Sequence, residues 1–213
     1  MADASTTHQA LPTAEQLDAA KSTSVLDAAQ SAVSFGSILD AARDSHIPLV
    51  LVFTRHFHCG MCREFVRALG QSSTLTDSSK VSVAIVGPGQ AEAIEYYKKE
   101  VGSPPFHFFA DPQVQFYHAL GMTTRTFDGG DDKKDPIPSH HKSGLISGAV
   151  TSALGMIKSG SMATKGGDFK QLGGDFVFNA DGQPVLAHRM RHTRDHTEVS
   201  ELEKAIAAAT SSQ

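Results

Sequence analysis

Residues 49–54, LVLVFT, limit the fold of this chain more than any other stretch. An uninterrupted apolar run rich in branched aliphatics reads as a strand buried on both faces, and such a strand belongs in the middle of a sheet. Pro48 closes off the segment before it. Just beyond it, CGMCREFVRALG spaces Met61, Phe65 and Leu69 four apart, with Cys62 and Val66 beside them. Arg63 and Arg67 are expected to point elsewhere, giving an amphipathic helix closed by Gly70.

The same alternation continues. VSVAIVG (81–87) is a second buried strand, followed by a helix that begins after a Gly-Pro-Gly turn and stops at Gly102. FHFFA (106–110) is a third, leading through Asp111 and Pro112 into the short helix QVQFYHALG. Strand and helix in alternation predict an α/β sheet with parallel strands, right-handed crossovers and helices on both faces. Upstream, SVLDA and AVSFG around Ala29 and Gln30 suit a short hairpin, and SILDAARDS one or two helical turns. Downstream, GGDFVFNADGQPVLAHRMR reads as two strands joined at Asp181 and Gly182, and EVSELEKAIAAA as a helix with Val199, Leu202 and Ile206 on one face.

Between about residues 122 and 172 the pattern dissolves into Gly, Lys, Asp, Ser and Pro around one candidate helix, GLISGAVTSALGMIKSG. A structureless loop of that length is unusual, so the segment is expected to be a partly helical insertion, either structural cover or a substrate lid. Residues 1–22 lack a buried pattern and are expected to be a loose, flexible lead-in, although AEQLDAAK has the makings of a short helix. Residues 23–209 are then read as a single domain.

The chain has 213 residues, a formal charge of −4 and only two cysteines, an ordinary globular balance. Nothing in it asks for nucleic acid or an anionic membrane surface, no run approaches the ~18 apolar residues of a membrane span, and the expected compartment is the cytoplasm. A cysteine attacks as its thiolate, which a free thiol with a pKa of about 8.5 rarely is at neutral pH. At the start of a helix, unpaired N–H groups and the helix dipole stabilise that thiolate. Cys59 is therefore the candidate nucleophile and Cys62, three residues on, the resolving thiol.

Thr54, Arg55, His56, Phe57 and His58 precede the pair as supporting or substrate-binding candidates, with Arg55, His56 and His58 expected to add positive charge and Phe57 to shield the thiols or pack beneath them. The pair serves two reactions, exchange with a disulfide or attack on a peroxide followed by closure to Cys59–Cys62. Zinc held by His58, Cys59 and Cys62 is a weaker reading for want of a fourth ligand, and buried core cysteines are a further one.

Further along, Arg189 and Arg191 share one strand face and either orient a substrate or form ion pairs with Asp195 and Glu198. His188, His192 and His196 recur every four residues without a shared element to make them converge, so no metal site is expected. His140 and His141 read as loop surface. Of Tyr96 and Tyr97, one ring should pack and the other face out. Gly87-Pro88-Gly89 lacks the Lys-Ser/Thr ending of a phosphate loop.

FTRHFHCGMCREFV resembles the active-site region of the peroxiredoxin-like proteins of the AhpC/TSA antioxidant group. VLDAAQSAVSFGSIL is similar to their opening hairpin, ADPQVQFYHALGM to their Asp-Pro-to-helix segment, and GGDFVFNADGQPVLAHRMRHTRDH to their closing hairpin. The resemblance implies a thioredoxin-like fold with a peroxiredoxin-type N-terminal hairpin and an insertion before the C-terminal hairpin, and it places the active pair at Cys59 and Cys62. Two departures stand out. The proline and hydroxyl that peroxiredoxins hold seven and three residues before the peroxidatic cysteine are Val52 and His56 counted from Cys59, and Arg55 and Cys59 counted from Cys62. Gly173 and Gly174 stand before DFVF where thioredoxin has a cis-proline, a place where a substrate could approach the backbone closely.

The reading is a thiol-disulfide oxidoreductase or antioxidant protein, reduced by a cellular dithiol of the thioredoxin or glutathione type and acting on a peroxide, disulfide or small organic substrate, with no cofactor. A modest thiol peroxidase is the alternative within redox chemistry. A ligand-binding or pathway-dedicated protein, with the insertion as its pocket, is the alternative outside it. Pairing of two copies through an edge strand or the N-terminal arm stays open.

Overall fold

The computed structural model describes residues 4–131, 133–135, 137–141 and 160–211. One seven-stranded sheet runs through it in the order β2-β1-β5-β4-β3-β6-β7. Its strands are β1 (Ser24–Leu26), β2 (Ala32–Ser34), β3 (Leu49–Phe53), β4 (Ser82–Gly87), β5 (His107–Ala110), β6 (Gly174–Phe178) and β7 (Pro184–Arg189). β3, β4 and β5 are parallel, and antiparallel hairpins close both edges, β1/β2 against β5 and β6/β7 against β3.

The run at 49–54 is central, as expected, and period-2 geometry explains why its strand, Leu49–Phe53, carries no polar residue. Val50 and Val52 enter one core with Phe65, Val66, Ile85, Tyr97 and Leu202, while Leu49, Leu51 and Phe53 enter the other with Phe35, Leu39, Phe116 and Phe176. Among the described residues the α-helices are α1 (Ala4–Gln9), α2 (Ala14–Lys21), α3 (Phe35–Asp44), α4 (Gly60–Leu69), α5 (Ile94–Glu100), α6 (Gln115–Ala119) and α7 (Val199–Ser211). α4, α5 and α7 cover the first face; α3 and α6 cover the second. None of the described helices is long and apolar enough to cross a membrane.

Three expectations need correction. Residues 4–22 were expected to be a loose lead-in with the makings of one short helix, AEQLDAAK; that helix is α2, and a further helix, α1, precedes it. Thr13 and Gln16 form a reciprocal capping box that starts α2, which buries Ala20 against the second core. The segment before Pro48 is a ten-residue helix, longer than one or two turns, because Ser34 caps it through the Ser37 N–H and draws Phe35 and Gly36 into it. Arg63 turns inward: only 2% exposed, it donates to the Phe57 carbonyl through Nε (3.3 Å) and Nη2 (3.0 Å) and pairs with Glu100 at 3.2 Å. The candidate helix GLISGAVTSALGMIKSG falls almost wholly outside the described residues; the described part of the insertion includes a 3-10 helix, Gly160–Lys165.

Candidate active site

β3 ends at Phe53 and the chain crosses to α4 in six residues that carry most of the candidate chemistry. Thr54 continues the sheet, its N–H donating to the Val86 carbonyl at 2.8 Å, while the Tyr117 hydroxyl donates to the Thr54 carbonyl at 2.7 Å. Phe57 packs beneath the turn, in a slot whose walls are Gly87 and Gly89. A Cβ on either glycine would stand 2.1 and 2.5 Å from the Phe57 ring. The Gly-Pro-Gly turn thus makes room for one aromatic ring.

Cys59 is the N-cap of α4. Its Sγ accepts the Cys62 N–H at 3.3 Å, the role a serine oxygen ordinarily plays. Arg55 reaches both sulfurs. Its backbone N–H donates to Cys62 Sγ at 3.4 Å and its guanidinium Nη1 to Cys59 Sγ at 3.7 Å, while Nη2 donates to the Phe169 carbonyl at 2.8 Å. Both cysteines are free and buried.

The two thiols are driven apart. Burial pushes the Cys59 pKa up, but the Cys62 thiol, the Arg55 guanidinium, the Cys62 N–H and His196 together bring it down to about 6. Burial and the neighbouring Cys59 hold Cys62 well above the usual thiol range. An asymmetric pair of this kind, with one ready thiolate and one retained thiol, is what nucleophile and resolver require.

His56 and His58 do not supply positive charge, contrary to expectation. Burial, then the Arg55 charge, keeps His56 well below the usual histidine value, and burial also lowers His58. The His56 ring lies 4.4 Å from that of Phe169, and His58 Nε2 donates to the Met162 carbonyl at 3.1 Å. Both are therefore contact points for a cover formed by residues 160–171. The Phe57 N–H donates to the Gly166 carbonyl (2.9 Å) and the Gln90 N–H to that of Lys165 (2.9 Å), so the segment lies across the cysteine turn.

The other candidates are engaged in the fold. Gly173 is needed by the sheet itself, since a Cβ there would come within 1.7 Å of the Phe53 carbonyl oxygen; at Gly174 it would meet that of His188 at 2.5 Å. Arg189 donates to the Leu120 carbonyl at 2.6 Å and the Ala10 carbonyl at 2.8 Å, tying the N-terminal segment to β7. Arg191 grips Asp195 with Nε (2.9 Å) and Nη2 (3.0 Å) and pairs with Asp135 at 3.4 Å. Arg189 ends β7, at the sheet edge and two strands from β3, and Arg191 follows it. Among the described residues, no group of three or more His, Cys, Asp or Glu is placed to hold a metal ion.

Sequence reasoning missed three features. His140 and the side chain of His141 are buried, with the His140 ring 4.7 Å from Phe65 and the two imidazoles 4.5 Å apart. Asp175 and His196 form a pair with no exposed side-chain surface. Phe169 anchors the cover on Arg55 and His56. Only Asp175 left a trace, as a carboxylate inside an otherwise apolar strand.

Known proteins share this architecture. A family model described as AhpC/TSA antioxidant enzyme matches residues 68–192, beginning just after the cysteine pair. Peroxiredoxin-like 2C of Mus musculus is 29% identical over 177 residues, 83% of this chain and 74% of that protein. Among solved structures, a peroxiredoxin-like protein from Aquifex aeolicus aligns with a TM-score of 0.55 at 7% identity, covering 88% of this chain and 82% of its own. Xanthomonas campestris peroxiredoxin Q aligns at 0.51 and 12% identity, covering 95% of each chain. At such identities the structural likeness establishes the thioredoxin-like fold of the peroxiredoxins and nothing finer.

Proposed function

The chain belongs to the AhpC/TSA antioxidant enzyme family, and from that premise we propose that it is a thiol-disulfide oxidoreductase with Cys59 as nucleophile and Cys62 as resolving thiol. One observation carries the reading: Cys59 caps α4 beside the Arg55 guanidinium and is held down to about 6, while Cys62 is held up. The Cys59 thiolate attacks one sulfur of a substrate disulfide, forming a mixed disulfide and releasing the other sulfur as a thiolate. Cys62 then loses its proton and attacks Cys59 Sγ, expelling the second substrate thiol and leaving a Cys59–Cys62 disulfide. The substrate has gained two electrons, which a cellular dithiol returns to the protein in the reverse exchange. A reducing compartment such as the cytoplasm suits this cycle.

Peroxide reduction is the second reading, with the family behind it. There Cys59 takes the terminal oxygen as a sulfenic acid, the alcohol or water leaves, and Cys62 displaces hydroxide, released as water. Disulfide exchange is preferred because the Val52 and His56 offsets offer neither proline nor hydroxyl: Val52 is spent in the first core and His56 is held neutral.

The test is turnover of a low-molecular-weight disulfide and of hydrogen peroxide by the wild type, C59S and C62S. C59S should lose both activities, and C62S should accumulate a mixed disulfide on Cys59 visible by mass spectrometry. Activity surviving in C59S would remove Cys59 from the reaction.

A further inference from the structure

Arg55 is a buried cation that no carboxylate answers. Arg43, Arg63, Arg125 and Arg191 each pair with an aspartate or glutamate, whereas Arg55, only 7% exposed, has no such partner among the described residues. A guanidinium keeps its charge at any pH at which the protein is folded, so its burial calls for an anion. What it has instead is the Cys59 sulfur, 3.7 Å from Nη1, and the Phe169 carbonyl, 2.8 Å from Nη2. In the reaction proposed above the sulfur is a temporary partner. Once Cys59 has attacked, its negative charge leaves with the departing thiolate, and the cation stays behind.

The guanidinium is also only partly used. Nε is buried and has no hydrogen-bond partner. In the planar fork the Nε–H and one N–H of Nη2 point from the same edge, the edge that takes both oxygens of a carboxylate. One tine of that edge holds a neutral backbone oxygen and the other holds nothing. His56 and His58, both buried, each leave Nδ1 without a partner as well. Both touch the same cover, His56 through the Phe169 ring and His58 through the Met162 carbonyl. That cover is superficial where it meets Arg55, since Phe169 is 37% exposed.

We propose that the Nε–Nη2 edge of Arg55 is a carboxylate site, and that the substrate is a low-molecular-weight disulfide with a carboxylate a few bonds from its sulfurs. The two carboxylate oxygens replace the Phe169 carbonyl, which lifts that end of the cover from the thiols, while Nη1 stays beside the Cys59 sulfur. The cation is then paired throughout the step in which the sulfur loses its charge. This rests on Cys59 being the nucleophile of disulfide exchange.

The test compares reagents of nearly equal shape and different charge, so that the thiolate fraction of Cys59 cancels. In a C62S background, alkylation of Cys59 by iodoacetate and by iodoacetamide is timed at one pH for the parent, R55Q and R55K, with circular dichroism as the check on folding. N-acetylcysteine amide is the free-thiol reference. The parent should favour iodoacetate at least about tenfold more than the reference does. R55Q should fall to the reference ratio, and R55K, a cation without a fork, should lie between; should R55Q not fold, R55K carries the comparison. A parent ratio no higher than the reference would overturn the carboxylate site, a result that needs no variant. A high ratio that the folded variants leave unchanged would overturn its assignment to Arg55.

Turnover separates the site from the reading beneath it. The wild type should reduce dithiodipropionic acid about tenfold faster than its neutral diamide, once each rate is divided by that of dithiothreitol with the same disulfide. Reduction of neither, with a high alkylation ratio, would overturn disulfide exchange and leave the carboxylate site standing. Reduction of both without preference would overturn the substrate class and leave disulfide exchange standing.

Discussion

Arg55 is the residue on which the site turns, since it contacts both sulfurs and the cover above them. Its backbone N–H serves Cys62 and its guanidinium serves Cys59 and Phe169, so one residue joins the resolving thiol, the nucleophile and the cover. The effect on Cys59 is electrostatic: a cation beside a buried thiol offsets the desolvation that otherwise keeps the proton on. Replacing Arg55 with methionine keeps much of the volume and removes the charge. In the C62S background, R55M should raise the pH at which Cys59 alkylates by at least about one unit, while R55K, which retains the charge and loses the planar fork, should fall between the two. An R55M profile superimposable on the parent would mean that the helix N-terminus and Cys62 suffice.

At the scale of elements, the informative piece is the segment 160–171, which seals thiols that have to meet a substrate. It rests on the β4–α5 connection through the Gln90–Lys165 hydrogen bond and the exposed Lys165–Glu92 pair at 3.1 Å, weak attachments compared with the core beneath. Gly167 has φ +93°, and a Cβ there would meet the Pro88 carbonyl oxygen at 2.5 Å. G167A should therefore displace the cover and speed alkylation of native Cys59 several-fold with little change in melting temperature. Gly182, at φ +78° in the β6–β7 turn, is the control: G182A should cost about 1 kcal/mol or more and leave the thiols as closed as before. Equal alkylation rates in G167A and the wild type would mean that the thiols are reached another way. The cover was hard to read in advance for the same reason that the strands were easy. LVLVFT and VSVAIVG declare themselves because burial on two faces makes them almost wholly apolar, and Cys-x-x-Cys was legible because it follows such a strand closely. Residues 160–171 instead act through the carbonyls of Met162, Gly166 and Phe169, and a backbone acceptor leaves no mark on side-chain identity. The length of α3 was misjudged because Phe35 and Gly36 read as the tail of β2 until Ser34 is seen to cap a helix.

Across the described residues, several imidazoles are buried in places that disfavour their charged form. Burial lowers His56, His58, His140, His141 and His192, whereas His188, though burial works against it too, is raised by its hydrogen bond to Asp195. These histidines were assigned to loop surface or charged flanks because their partners are distant in sequence, as Phe65 is from His140. The consequence is a direction for acid stability. In the unfolded chain each imidazole gains a proton near pH 6.5, whereas the lowered ones in the folded chain remain neutral to lower pH, so below 6.5 the unfolded chain binds more protons and is favoured. For the deeply buried His56 and His140 this costs up to about 1.4 kcal/mol each per pH unit, and the raised His188 returns only a small part of that because most of its gain lies above pH 6.5, so stability should fall by about 1–3 kcal/mol from pH 6.5 to 5.5. Cys59 adds a slope of its own, because its lowered thiol stabilises the fold most above pH 9 and progressively less down to about 6. Urea unfolding of C59S removes that contribution. Its midpoint should change little between pH 8 and 7 and drop below 6.5, and H140F should make the drop shallower. A midpoint unchanged from 6.5 to 5.5 would show that the buried imidazoles take up their protons without resistance, and that the packing around Phe65 opens before the fold does.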